Sequence, residues 1–280
     1  MGAGMWAAAV GIFLFSWGPV FVRDNEFGAL PFAFWRLLGA AAWAVAALYL
    51  RGGRLDRRVL RHSLAGGMVF TVNAITFFSA IKTTSVANAM VIGATAPIFL
   101  LWAAGRVFKE RISYRVIVAT PVAIAGMAMM LLGRSGGSGD GSLSGDVLAV
   151  VAVLAFAGYL IASRIARNHL SALEYQAGWS TISAVLMLPI SLLSFDPLFI
   201  GDAWSWGVAG TMAVTAGMAH LLVNYSHRYV SLRAISLLNM TAPGLAIMWA
   251  WFLFDEQIGG LQWLGVPLVV ISVLAVILDE

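Results

Sequence analysis

The sequence predicts an all-α integral membrane protein, with ten transmembrane helices forming two inverted five-helix repeats. Three observations predict this. The chain of 280 residues is 61% hydrophobic and only 11% charged, where a soluble domain is roughly 25% charged. Ser85–Ile112 is written again at Ser231–Ile258 at one offset of 146 residues. The matches are Ser85/Ser231, Thr95/Thr241, Ala96/Ala242, Pro97/Pro243, Phe108/Phe254, Glu110/Glu256 and Ile112/Ile258, continuing upstream to Lys82/Arg228 and downstream to Pro121/Pro267. Finally, each copy holds five apolar segments. An odd number makes the second copy enter the bilayer from the opposite side, the arrangement of alternating-access transporters.

The segments run 5–22, 29–50, 62–82, 85–105, 113–132, 146–165, 174–194, 204–224, 231–252 and 262–278. Each is close to the ~20 residues that cross a hydrocarbon core. They are expected to be helices because a helix bonds all its backbone groups within one segment. The alternating ten-residue strands of a membrane barrel are absent. The first segment reads as a retained span. No basic residue precedes it, and Trp17-Gly18-Pro19 is not a small-residue cleavage site.

The connections sort by charge. Arg51, Arg54, Arg57, Arg58, Arg61, Arg106, Lys109, Arg111, Arg115, Arg164, Arg167, Arg228 and Arg233 fall on one side, and only Arg23, Lys82 and Arg134 on the other. The positive-inside rule then places both termini in the cytoplasm. The net charge of +4 follows from those basic loops and does not call for nucleic acid. Residues 133–145, GRSGGSGDGSLSG, read as a flexible linker. It divides a first repeat, 1–132, from a second, 146–280. There is no cysteine, which excludes thiolate metal sites and cysteine nucleophiles. With four histidines and no metal-ligand motif, neither a metal nor a cofactor is expected.

Candidate site residues come from polar or aromatic side chains sharing helix faces. Span 4 offers Asn88, Ile92, Thr95, Phe99 and Trp102 at 4-3-4-3 spacing, expected to face inward. Span 3 offers Thr71, Phe78 and Lys82; span 1, Phe13 and Trp17; span 6, Phe156, Tyr159 and Ser163. Lipid-facing or belt positions are the competing reading for these rings. Span 8 has the most polar face, with Gly217, His220, Asn224 and His227. His220 can bind a carboxylate, relay a proton or bond a neighbouring helix. Pro97 is expected to bend span 4 by freeing the carbonyl of Gly93, and Pro243 to do so at Asn239, a further substrate candidate. Arg36, inside span 2, is expected to pair with Asp24 or Glu26. Glu110 and Glu256 are read as helix-end anchors.

These residues resemble the drug/metabolite transporter superfamily. Ser85-Val86-Ala87-Asn88-Ala89 through Pro97 to Glu110 is similar to its EamA domain, and Ser231 to Glu256 to a second copy. Phe34-Trp35-Arg36 resembles that family's second-span start, and Phe77-Phe78-Ser79-Ala80-Ile81-Lys82 its third-span ending. Within the superfamily the aromatic amino acid exporters are most similar. The resemblance implies a non-enzymatic carrier in a bacterial inner membrane, exporting aromatic and other neutral amino acids. Proton-coupled multidrug members rely on a buried glutamate in the first span. That span is apolar here apart from Ser16, and none of the 13 carboxylates lies mid-span, so carboxylate-driven antiport is disfavoured. Efflux of drugs or other metabolites, and more remotely a lipid-modifying enzyme, are the alternatives.

Overall fold

The structure is a computed structural model. It describes the chain except residues 1, 18–25, 84–91, 94, 133–142, 243–244, 246–247, 250–251, 253–258 and 278–280. Among the described residues are ten helices: α1 (Ala3–Ser16), α2 (Ala29–Leu50), α3 (Arg57–Thr83), α4 (Ala96–Arg106), α5 (Tyr114–Leu132), α6 (Leu143–Ala166), α7 (Ala172–Leu192), α8 (Ala203–Ser226), α9 (Leu232–Asn239) and α10 (Gly260–Ile277). Each falls on one predicted span. Ala29–Leu50, Arg57–Ala80, Leu143–Ala166 and Ala203–Ser226 are long and apolar enough to cross a bilayer.

Local chemistry sets the helix starts. Asp56 Oδ1 accepts the Val59 N–H at 2.8 Å and opens α3 ahead of the predicted start. Ser171 and Glu174 form a capping box on α7. Asp202 caps α8 through the N–H groups of Trp204 and Ser205, and Ser231 caps α9 through that of Ala234. The loop after α2 turns at Gly52, whose φ of 76° suits glycine. α6 begins at Leu143, inside the stretch expected as linker.

Helix pairing follows the duplication. α3 packs on α6 as α8 packs on α1; α3 on α7 as α8 on α2; α2 on α3 as α7 on α8; and α4 on α6 as α9 on α1. The equivalent helices α2 and α7, α4 and α9, and α5 and α10 pack on each other. Exchanging the two halves carries each of these pairs onto another of them, as a two-fold relation between repeats requires. Small residues permit the closest crossings. A Cβ on Gly126 of α5 would stand 2.8 Å from the Gly265 carbonyl of α10, so here backbone meets backbone.

In the first repeat α4 starts within Thr-Ala-Pro, and in the second α9 ends just before it. α4 begins at Ala96, and Pro97 sits in its first turn, where a missing N–H costs nothing. The Thr95 hydroxyl donates to the Ile92 carbonyl at 2.6 Å. The Thr241 hydroxyl donates to the Leu238 carbonyl at 2.7 Å, beyond the end of α9 at Asn239. The two bonds are repeat-equivalent. Gly93 is described and open, with nothing within 4 Å of a Cβ built there. Pro243 and Asn88 lie outside the described residues.

Candidate functional site

A buried polar cluster joins α6, α7 and α8. Asn224 is its hub. Its Oδ1 accepts the hydroxyls of Ser163 at 2.6 Å and Tyr159 at 3.2 Å, and its Nδ2 donates to Gln176 Oε1 at 3.3 Å. Gln176 Oε1 also accepts the Trp179 indole N–H at 3.1 Å. The Arg167 Nε–H donates to the Asn224 backbone carbonyl at 2.9 Å. Tyr159 Oη and His220 Nδ1 share a bond of 3.2 Å. Tyr159, Ser163, Gln176, Trp179 and Asn224 are all fully buried. Rings close around His220: Phe15 at 4.7 Å, Phe70 at 5.0 Å and Trp179 at 5.1 Å, centroid to centroid. Filling of this kind leaves no room for a substrate. It seals the interior about two turns from the ends of α6 and α8.

At that same end an ionic junction ties the repeats together. Glu110, just past α4, stands 2.6 Å from the Arg164 guanidinium of α6. Its carboxylate also accepts the backbone N–H of Leu232 at 3.0 Å and of Arg233 at 3.4 Å, the first turn of α9. A carboxylate on the positive end of a helix is electrostatically favoured. Arg164 lies over the Phe108 ring at 4.7 Å. The Arg233 guanidinium returns 2.5 Å to the Arg111 carbonyl. Glu110 thus does more than anchor its own helix end.

Aromatic residues gather toward the other end. Trp17 stacks on Trp249 at 4.2 Å, and Phe13 meets Trp249 edge-on at 5.3 Å. The Trp249 indole donates to Ser16 Oγ at 2.9 Å. Phe78 is buried against Phe32, centroids 6.2 Å apart, and beneath the Arg36 guanidinium at 5.9 Å. Arg36 does not pair with Glu26, whose described polar contact is a backbone N–H to Ser205 Oγ at 2.9 Å. Asp24 lies outside the described residues.

The predicted residues therefore divide. Tyr159, Ser163, His220 and Asn224 come together, fully packed. Trp17 and Phe78 belong to the aromatic end. Thr95 and Phe99 are partly buried, and Asn239 is the partly exposed last residue of α9. The Lys82 side chain lies outside the described residues. Trp102 is a correction. It is 64% exposed and lines an outer groove between α4 and α5 with Ile98 and Ile117. The buried stripe of α4 is Pro97, Leu100, Leu101 and Ala104, so Trp102 points away from the interior. Gln176, Trp179, Phe70 and Trp249 were missed, and Arg36 was read only as a partner for loop carboxylates. Gln176, Ser180 and Ser183 stand at 4-3 spacing on α7, a polar stripe that would have revealed the buried face. Among the described residues no group of three or more His, Asp or Glu could hold a metal.

Two copies of one apolar helical unit, bridged by an ionic junction and sealed by a buried polar cluster, define a polytopic membrane protein of the carrier type. Residues 2–132, and again 143–278, match the EamA-like transporter family. The chain belongs to that family, whose members are multi-pass membrane transporters of the drug/metabolite transporter superfamily and not enzymes. A solved crystal structure, described only as that of a protein, superposes with a TM-score of 0.87 over 99% of this chain and 97% of its own. It is 19% identical in sequence, so it shares the fold. Comparison with curated protein sequences returns no match.

Proposed function

We propose that this protein exports amino acids, aromatic and other neutral ones, across a bacterial inner membrane by alternating access. The observation that carries the reading is the contrast between the two ends of the bundle. One end is held by Glu110 on α9 and filled by the Asn224 cluster. The other carries Trp17, Phe78 and Trp249, large rings suited to stacking on an apolar side chain. The two-fold exchange of helix pairs supports a rocking of one repeat against the other. The charge of the loops supports an inverted pair of repeats, 1–132 and 146–280, with both termini cytoplasmic. The filled end is then the cytoplasmic one. The amino acid class rests on the resemblance to aromatic amino acid exporters and on those rings.

Purified protein in liposomes is expected to exchange labelled neutral or aromatic amino acids without an imposed proton gradient. If folded protein moves no amino acid in a full panel, but exchanges quaternary ammonium dyes or sugars, the substrate class is wrong and metabolite or drug efflux replaces it.

A further inference from the structure

Arg36 is the eighth residue of α2, about 10 Å inside the start of a helix of 22 residues. The outward side of α2 carries Leu38, Ala42, Ala46 and Tyr49, all exposed. Its packed stripe is Ala33, Leu37, Ala40 and Ala44, all 5% exposed or less. Arg36 lies on the packed side, between Phe32 and Ala40, yet keeps partial exposure. The guanidinium sits 5.9 Å over the Phe78 ring. Among the described residues it makes no hydrogen bond and no ion pair; the ion pairs there are Arg58–Glu174 and Arg164–Glu110.

The other repeat shows what this position becomes when it is only structural. Here the positions are counted from the first residues of α2 and α7, Ala29 and Ala172, a shift of three residues from the offset of 146. Eight residues into α7 stands Trp179. The offset of 146 carries Phe78 onto Asn224. Where one repeat has Trp179 and Asn224, fully buried and both bonded to Gln176, the other has Arg36 and Phe78. Where the Asn224 cluster is bonded, Arg36 stands on an apolar wall with no hydrogen-bond or ion-pair partner among the described residues.

An unpaired guanidinium inside a membrane protein is costly, and such groups mark ligand paths. A ring face offsets only part of the cost. An anion with planar paired oxygens offsets far more, because the guanidinium fork matches a carboxylate with two parallel hydrogen bonds. We infer that Arg36 anchors the substrate's carboxylate while Phe78 receives its apolar part. The inference rests on the transport reading and narrows its cargo to carboxylates bearing an apolar or aromatic group. It disfavours cationic cargo, which Arg36 repels.

The test uses full-length protein, with ligand-induced thermal shift in detergent and counterflow in liposomes. The probes are L-tryptophan, L-leucine, their carboxamides, and indole-3-acetate, which has a carboxylate and no amine. Wild type is expected to take the acids roughly 10- to 100-fold better than the carboxamides, as a charge-assisted pair would give. Arg36→Gln should bring the acids down toward carboxamide level without weakening the carboxamides. If Arg36→Gln retains the wild-type preference for acids, the inference is overturned. It is overturned too if wild type moves tryptophan and its carboxamide equally, an outcome that leaves amino acid transport standing. Conversely, Arg36-dependent binding of indole-3-acetate with no amino acid moved sustains the anchor and removes the amino acid reading. Binding of no probe removes both. Should Arg36→Gln aggregate on size exclusion, Arg36→Lys carries the test. It keeps the charge without the fork and should weaken acids alone; equal weakening of carboxamides overturns the anchor.

Discussion

The Glu110 carboxylate lies 2.6 Å from the Arg164 guanidinium while it caps the first turn of α9 through Leu232 and Arg233. One side chain from the first repeat thus holds two helices of the second. Both partners are largely shielded, with side chains 11% and 21% exposed, so the pair escapes most of the screening that makes surface ion pairs weak. Glu110→Gln keeps the shape and removes the charge. It is expected to lower stability by about 1–3 kcal/mol and to loosen the contact between α4 and α9. Because the chain has no cysteine, Ser236→Cys supplies a clean reporter. Ser236 is buried on α9 and its hydroxyl has no partner. Maleimide should label Ser236→Cys faster in the Glu110→Gln background. Equal labelling rates and equal melting would show that the junction does not hold the repeats together.

Asn224 is expected to matter more than Tyr159, although both are fully buried in the same cluster. Tyr159→Phe removes one donor, and Asn224 keeps Ser163 and Gln176; the cost should be about 1 kcal/mol. Asn224→Leu strips partners from Ser163, Tyr159 and Gln176 at once, leaving buried polar atoms unmatched. Its cost should be about 2–4 kcal/mol. Thermal unfolding of the two variants in one detergent decides the order. A Tyr159→Phe loss equal to or larger than that of Asn224→Leu would displace Asn224 as the hub.

The sequence made the spans legible because a bilayer imposes one length and one way of bonding the backbone. The duplication was legible because both copies keep Thr-Ala-Pro and the following glutamate. What was hidden depends on packing between helices. Spacing on span 4 carried Thr95, Phe99 and Trp102 along one continuous face. The Thr95–Ile92 bond and the start of α4 at Ala96 interrupt that face, and Trp102 turns outward. Tyr159, His220 and Asn224 were legible as polar faces, but their partner Gln176 lies on α7, and periodicity within one helix cannot pair helices. Arg36 looked like a residue awaiting a loop carboxylate. Its place on the packed side of α2, over Phe78, is set by packing between helices.

Thr95 and Thr241 offer a test of whether the repeats share one device. Each hydroxyl bonds the carbonyl three residues back, at 2.6 Å and 2.7 Å. Each thus bonds the carbonyl one residue before the one that the proline leaves without its N–H partner, Gly93 or Asn239. Thr95→Val and Thr241→Val preserve shape and remove the bond. Each is expected to cost about 0.5–1.5 kcal/mol, with the two losses similar and their sum recovered in the double variant. Thermal unfolding of the three proteins measures this. A loss confined to one copy would mean that the equivalent bonds do not act equivalently.

His227 gives the chain a pH dependence. It follows α8, is buried, and neither ring nitrogen has a hydrogen-bond partner among the described residues. Burial first, then the Arg164 and Arg167 charges, hold it down to about 3 from an ordinary 6.5. The native ring is therefore neutral at pH 5, whereas the unfolded chain protonates it below 6.5. Between these two values the unfolded state binds more protons, so stability falls as pH drops from about 6.5 toward about 3, and this contribution is flat above that window. His227→Leu removes the titrating group without breaking a hydrogen bond, and at pH 7.5 should change stability by under about 1.5 kcal/mol. Melting both proteins at pH 7.5 and at pH 5 separates the contribution, with wild type losing more on acidification than the variant. Parallel losses would assign the acid sensitivity to groups other than His227.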